Sequence, residues 1–273
     1  MEVIILGSGS PLPDPNRAGP ATLVRAAGRD FLFDAGRGVL MRLAGAGSGP
    51  VQLERLLLTH LHSDHVTDLN DLVTMTWVMA QEPRPLRVTG PAGTSLLVDR
   101  TLAMLSQDIG YRLAHHADLT WDPSAEVTEI NDGVVFDDGE VKIIAAPTDH
   151  GPVRPTAGYR IEADGKSVVI SGDTIPCSGL DRLCADADVY VQTVIRRPQI
   201  EAFPVARLRD IVSYHSSIED AAATASRGHV GTLVLTHLIP APFPGTEPEW
   251  LAEAAAVFDG TILLASDLMR IGV

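Results

Sequence analysis

Residues 59–65 read Thr-His-Leu-His-Ser-Asp-His, which puts His60, His62, Asp64 and His65 within six positions, directly after the apolar run Leu56, Leu57, Leu58. Three imidazoles and a carboxylate crowded at the mouth of a buried strand make a metal site, since neutral ring nitrogens and carboxylate oxygens suit zinc, manganese or iron. Three more donors follow apolar stretches further along: His150 after VKIIAAP, Asp173 after SVVI and His237 after TLVL. Seven donors exceed what one ion uses. Two divalent ions are therefore expected, sharing a water whose pKa they lower and clamping the attacking and departing oxygens of a displacement.

Strands must carry these residues. The runs VIIL, FLF, LLL, VKIIAAP, SVVI and TLVL are continuous in apolar residues, as strands covered on both faces are. Helical patterns fall between them at residues 68–80, 93–107, 217–227 and 247–257. The third opens with Ser216 and has Glu219 three positions on, a capping-box spacing. One internal echo, LLLTHL at 56–61 against LVLTHL at 233–238, suggests a duplicated sandwich. The chain of 273 residues is read as one α/β (α+β) domain, 1–273.

Composition narrows the classes. The start, MEVIILGSGS, has an acid at position 2 and too short an apolar stretch for a signal peptide or membrane span, so no membrane is expected. Cys177 and Cys184 sit in what reads as one loop and are expected as reduced thiols, which together with the missing export signal implies a cytoplasmic location. Net charge is −14, with only two lysines, Lys142 and Lys166, among 21 basic residues. That balance argues against extended binding to a nucleic-acid backbone.

The H-x-H-x-D-H cluster, with His150, the aspartate of SGDT and the histidine of LTH, resembles the metallo-β-lactamase fold of metallohydrolases. Closer still is its branch of ribonuclease Z-like nucleases, small phosphodiesterases and arylsulfatase-like hydrolases. The resemblance spans the chain from GSGS to ASDLMRI. It implies a four-layer αββα sandwich with pseudo-duplicated halves and a dinuclear centre, with zinc the first expectation and manganese or iron behind it. In that arrangement His60, His62 and His150 hold one ion, Asp64, His65 and His237 the other, and Asp173 bridges them. Asp64, Asp173 and His215 are then the catalytic residues, His215 protonating the leaving group or steadying developing charge. The RNA-processing members pair that histidine with a glutamate, where this chain offers Gln192. They also carry a long arm between the third metal motif and the bridging aspartate. Here 22 residues separate His150 from Asp173, which leaves no room for one. Asp68 stands where the family usually has glycine.

These departures favour a small-molecule ester, foremost a phosphodiester or aryl sulfate, over a transfer-RNA 3′-processing endonuclease. Lactone, thioester and amide substrates, or oxidoreductase chemistry on the same scaffold, are the further alternatives. Candidate substrate contacts are Trp77, Arg196 and Arg197, the arginines as a bidentate clamp for phosphate or sulfate. Asp34, after FLF, is expected to support a metal-binding histidine. His115 and His116 read as surface. Relatives in this branch are often dimers, which implies a homodimer.

Overall fold

The structure is a computed structural model that describes residues 1–130 and 132–273. The apolar runs form strands, as expected. β1 (Glu2–Gly7), β2 (Ala21–Ala26), β3 (Arg29–Phe33), β4 (Leu53–Leu57), β5 (Leu86–Gly90) and β6 (Ala125–Glu129) build one sheet. β7 (Gly133–Asp137), β8 (Val141–Pro147), β9 (Ala157–Ala163), β10 (Lys166–Ile170), β11 (Val189–Ile195), β12 (Thr232–Ile239) and β13 (Thr261–Leu264) build the second. β14 (Met269–Gly272) returns to pair with β1.

From edge to edge the sheets run β14-β1-β2-β3-β4-β5-β6 and β7-β8-β9-β10-β11-β12-β13. In each, antiparallel pairings over the first four strands give way to parallel pairings over the rest. The expected duplication is thus present in the pairing order. The LLLTHL echo is not its trace, because β4 corresponds in that order to β11, whereas the second copy lies in β12.

Alternation along each strand sorts side chains into layers. Ile5 and Phe33 face the other sheet and pack with Ile143, Tyr159, Ile161 and Val191. Their neighbours Ile4 and Leu32 face outward, under Val39, Leu43, Leu69 and Leu72 of helices Val39–Gly45 and Leu69–Met79. On the far side, Val169, Tyr190 and Leu233 lie under Leu180, Ile218 and Trp250 of helices Ser178–Cys184, Ile218–Arg227 and Glu247–Ala255. Helix, sheet, sheet and helix follow one another, the αββα order.

Several local expectations are corrected. Helix 93–107 is two helices, Thr94–Met104 and Ser106–His115. Cys184 ends a helix rather than sharing a loop with Cys177, and its burial pushes the thiol pKa up. The capping box lies one residue later, with Ser217 accepting from Asp220 N–H and the Asp220 carboxylate from Ser217 N–H. Ser216 is taken: its hydroxyl donates to the Thr174 carbonyl at 2.7 Å. Trp77 is 2% exposed, with its indole N–H on the Trp121 carbonyl, so it is a core residue and stands away from any substrate. Asp68 is a cap for a neighbouring helix, since Oδ2 accepts from Leu40 N–H at 3.2 Å in the first turn of Val39–Gly45. Among the described residues no helix is long and apolar enough to cross a membrane.

Candidate metal centre

The donors gather where strands end. His60 follows β4, Asp173 follows β10, His237 lies near the end of β12 and His150 follows β8, while Asp64 and His65 sit on the short helix Ser63–Val66. In open α/β sheets the carboxyl ends of parallel strands are where ligands bind, because the connections there are free to carry polar groups. The approach is tight. Gly172 adopts φ 63, and a Cβ there would lie 2.6 Å from Cβ of Thr59, so only glycine lets the chain leave β10 toward Asp173. Asp34 (φ 61) and His237 (φ 50) also hold left-handed backbone, a strain that surrounding structure must impose.

Two clusters result, His60, His62, His150 and Asp173 in one and Asp64, His65 and His237 in the other, each with its ligand atoms within 4.8 Å of one another. In the first, His62 Nδ1 lies 3.0 Å from His60 Nε2 and 3.3 Å from His150 Nε2. In the second, Asp64 Oδ2 is 3.2 Å from His237 Nε2 and 3.6 Å from His65 Nε2. Asp173 Oδ2 stands between them, 3.9 and 3.8 Å from Nε2 of His60 and His150 and 3.5 and 3.6 Å from Nε2 of His65 and His237. That is the position of a bridging carboxylate.

The outer hydrogen bonds set which ring nitrogen is free. His150 Nδ1 donates to the Tyr214 carbonyl at 2.9 Å and His65 Nδ1 to Asp34 Oδ2 at 2.8 Å, so each presents a bare Nε2 to the centre. His60 Nδ1 reaches Thr59 Oγ1 at 3.1 Å, and that hydroxyl donates onward to Asp34 at 2.9 Å. One carboxylate therefore aims a histidine in each cluster. Asp34→Ala is expected to weaken metal binding in both by roughly 10–100-fold; zinc titration against a competing chelator measures it, and unchanged affinity in either cluster contradicts the role.

Divalent ions fit this arrangement. His62 Nδ1 faces Nε2 of His60 at 3.0 Å and of His150 at 3.3 Å, which opposes lone pairs, and a cation shared by the three nitrogens relieves that. His65 Nε2 and Asp173 Oδ1 are buried without a hydrogen-bond partner, a cost of about 1–3 kcal/mol each that ligation removes. Burial lowers the pKa values of His60 and His62 and takes His150 down to about 4, so these three offer neutral nitrogens. Burial opposes charge on His65 and His237 too, but Asp173, with Asp34 beside the one and Asp64 beside the other, raises both. Burial likewise opposes charge on Asp173, yet His237 and His65 hold its carboxyl well below the usual range. Metal ions take the place of such protons.

His215 stands beside the centre, with Nδ1 on the Ile211 carbonyl at 3.0 Å and Nε2 3.2 Å from Asp173 Oδ2. Gln192 does not orient it. That amide is buried under Tyr190, accepting from its hydroxyl and donating to the Thr193 carbonyl. The arginine clamp also fails to form: Arg196 is held by Glu249 at 2.8 Å and Glu253 at 2.7 Å, and Arg197 pairs with Asp220 at 3.4 Å. His115 and His116 are exposed, far in sequence from every donor. Sequence reasoning missed the apolar cleft against the centre, about 180 Å³ and lined by Phe203, Leu208 and Ile211 among others. Its only signal was the apolar spacing inside a loop rich in arginine.

Residues 29–238 match the beta-lactamase superfamily domain. Over 275 aligned residues the chain is 55% identical to a protein of Mycolicibacterium paratuberculosis named ribonuclease Z, covering 100% of this chain and 98% of that one. A ribonuclease Z of Mycobacterium tuberculosis is 52% identical over the same span. Among solved structures, the Bacillus subtilis metallo-β-lactamase fold protein YhfI superposes with TM-score 0.76 at 22% identity, over 99% of this chain and 98% of its own. The short form of human tRNase Z gives 0.74 at 22% identity, over 100% and 99%. Their likeness shows the fold, and the whole-length relatives show the family. The chain belongs to the β-lactamase superfamily, in the ribonuclease Z-like branch of the metallo-β-lactamase fold, and is a metal-dependent hydrolase acting on ester bonds.

Proposed function

We propose that this hydrolase cleaves a phosphodiester of RNA in the manner of the ribonuclease Z relatives, with zinc in both clusters. The observation that carries the reading is the double cluster with His215 beside its bridging carboxylate, in a chain alike from end to end to proteins of that name. This ranks the nuclease above the small ester that the missing arm, Gln192 in place of a glutamate and the acidic balance favour in the sequence. Net charge misled there, because it averages over the surface, whereas a polyanion feels the charge near the site. Of the four arginines in residues 196–209, Arg196 and Arg197 are paired with acids, which leaves Arg207 and Arg209 beside the cleft within a chain of net charge −14. Exposed Arg207 adjoins Leu208 of the cleft, and exposed Arg37 reaches the carbonyl of Pro11, another lining residue, at 3.5 Å.

Two divalent ions there supply a water activated near neutral pH and a Lewis acid for the phosphoryl oxygens. The chain's own contribution is placement. Asp34 and the Tyr214 carbonyl fix the imidazoles, Asp173 stands between the clusters, and His215, with Nε2 3.2 Å from Asp173 Oδ2, is the group beside the centre that would pass a proton to a departing alkoxide. A small phosphodiester is the second reading, favoured by the short span from His150 to Asp173, more than half of which is β9 and β10. Purified metal-loaded protein is to be offered precursor transfer RNA with a 3′ extension, alongside bis-p-nitrophenyl phosphate. Removal of the extension at a single position is expected. Hydrolysis of the small ester with no cleavage of the RNA would put the second reading first.

A further inference from the structure

We propose that the apolar cleft beside the metal centre is a ring-binding subsite, holding one planar group, a nucleobase or an aryl ring, carried by the scissile phosphate; the inference rests on the phosphodiester reading above. The cleft is about 180 Å³, lined by Leu12, Phe203, Leu208, Ile211, Tyr214 and Ile239 together with His62, Asp64 and Asp173 of the metal centre. Pockets for drug-sized ligands run to roughly 300–1,000 Å³, so this one takes a single ring and not a dinucleotide. Apolar side chains make no hydrogen bond to phosphate or ribose, but a flat π-face fills such a space and leaves water behind.

The wall is built before anything binds. Phe203 and Ile211 pack on a small core of Ile195, Ile200 and Ile239. Phe203 N–H donates to the Ile200 carbonyl at 3.0 Å, and its own carbonyl accepts from Arg209 at 2.6 Å. The loop bearing Leu12 is fastened at both ends by Asp267, which accepts from Ser8 N–H at 3.0 Å and Ala18 N–H at 2.7 Å. Both lining segments are thus held in place, so ordering them on binding costs little.

The test compares methyl phosphate, phenyl phosphate and uridine 5′-monophosphate as ligands of metal-loaded protein, by calorimetry. Stacking a base on an aromatic side chain is worth about 1–3 kcal/mol, or roughly 5- to 150-fold in affinity. A ring-bearing ligand is expected to bind the wild type more tightly than methyl phosphate by a factor in that range. An advantage for phenyl phosphate and the nucleotide alike marks any flat ring as the occupant, and an advantage for the nucleotide alone marks a nucleobase. Phe203→Ala and Ile211→Ala should erase the advantage, with methyl phosphate affinity and metal content unchanged; Phe203→Leu, which preserves the small core, guards against a folding defect. Equal affinities for all three ligands in the wild type, or an advantage that survives in every variant, overturns the subsite. If neither precursor transfer RNA nor bis-p-nitrophenyl phosphate is hydrolysed while the ring advantage holds, the phosphodiester reading falls and the subsite stands.

Discussion

Asp173→Ala is expected to lower turnover by about 10³-fold or more and to release metal from both clusters. The size follows from the several kcal/mol that bound ions contribute to a phosphoryl transition state, at about 1.4 kcal/mol per tenfold. The sharing follows from geometry: Oδ2 of this residue lies within 3.9 Å of Nε2 of His60, His150, His65 and His237. Removing it also leaves four imidazoles facing one another with no anion between them, so the alanine variant is open to a folding defect. Asp173→Asn keeps the shape and removes the charge. Metal analysis and turnover of both variants settle the matter, and retention of both ions with near-normal turnover contradicts a bridging role.

His215→Ala should behave differently. Its ring touches Asp173 and the Ile211 carbonyl but belongs to neither cluster. Loss of a positioned general acid costs roughly 10²–10⁴-fold. The fall is expected in kcat, with KM nearly constant and both ions retained, and a leaving group of low pKa such as p-nitrophenolate should suffer less than an alkoxide. A variant that loses metal in proportion to activity would make His215 a structural residue.

Much of this was legible in the chain because the governing patterns are local. Apolar runs gave the strands, and the donors directly after them gave the centre, since a strand end dictates where the next side chain emerges. Asp34 after FLF was readable for the same reason, though not that it serves both clusters, which depends on Thr59 passing a hydrogen bond to His60. The failures lie where a partner is remote. Arg196 meets Glu249 and Glu253 of a helix some fifty positions away, and nothing near Arg196 announces them. Trp77 lies on a helix whose apolar face cannot be told from a rim until the sheet beneath it is known. Gln192 follows Tyr190 by two, so period-two alternation sends both to the helix-covered face of the second sheet, away from His215. The cap moved from Ser216 to Ser217 because the Ser216 hydroxyl bonds to Thr174, 42 positions upstream.

Metal analysis of never-chelated, active protein, joined to anomalous diffraction at the edge of the element found, tests the dinuclear centre most directly. Two ions per chain are expected, one among His60, His62 and His150 and one among Asp64, His65 and His237, with Asp173 touching both. Active protein with a single ion, or with none, would contradict it.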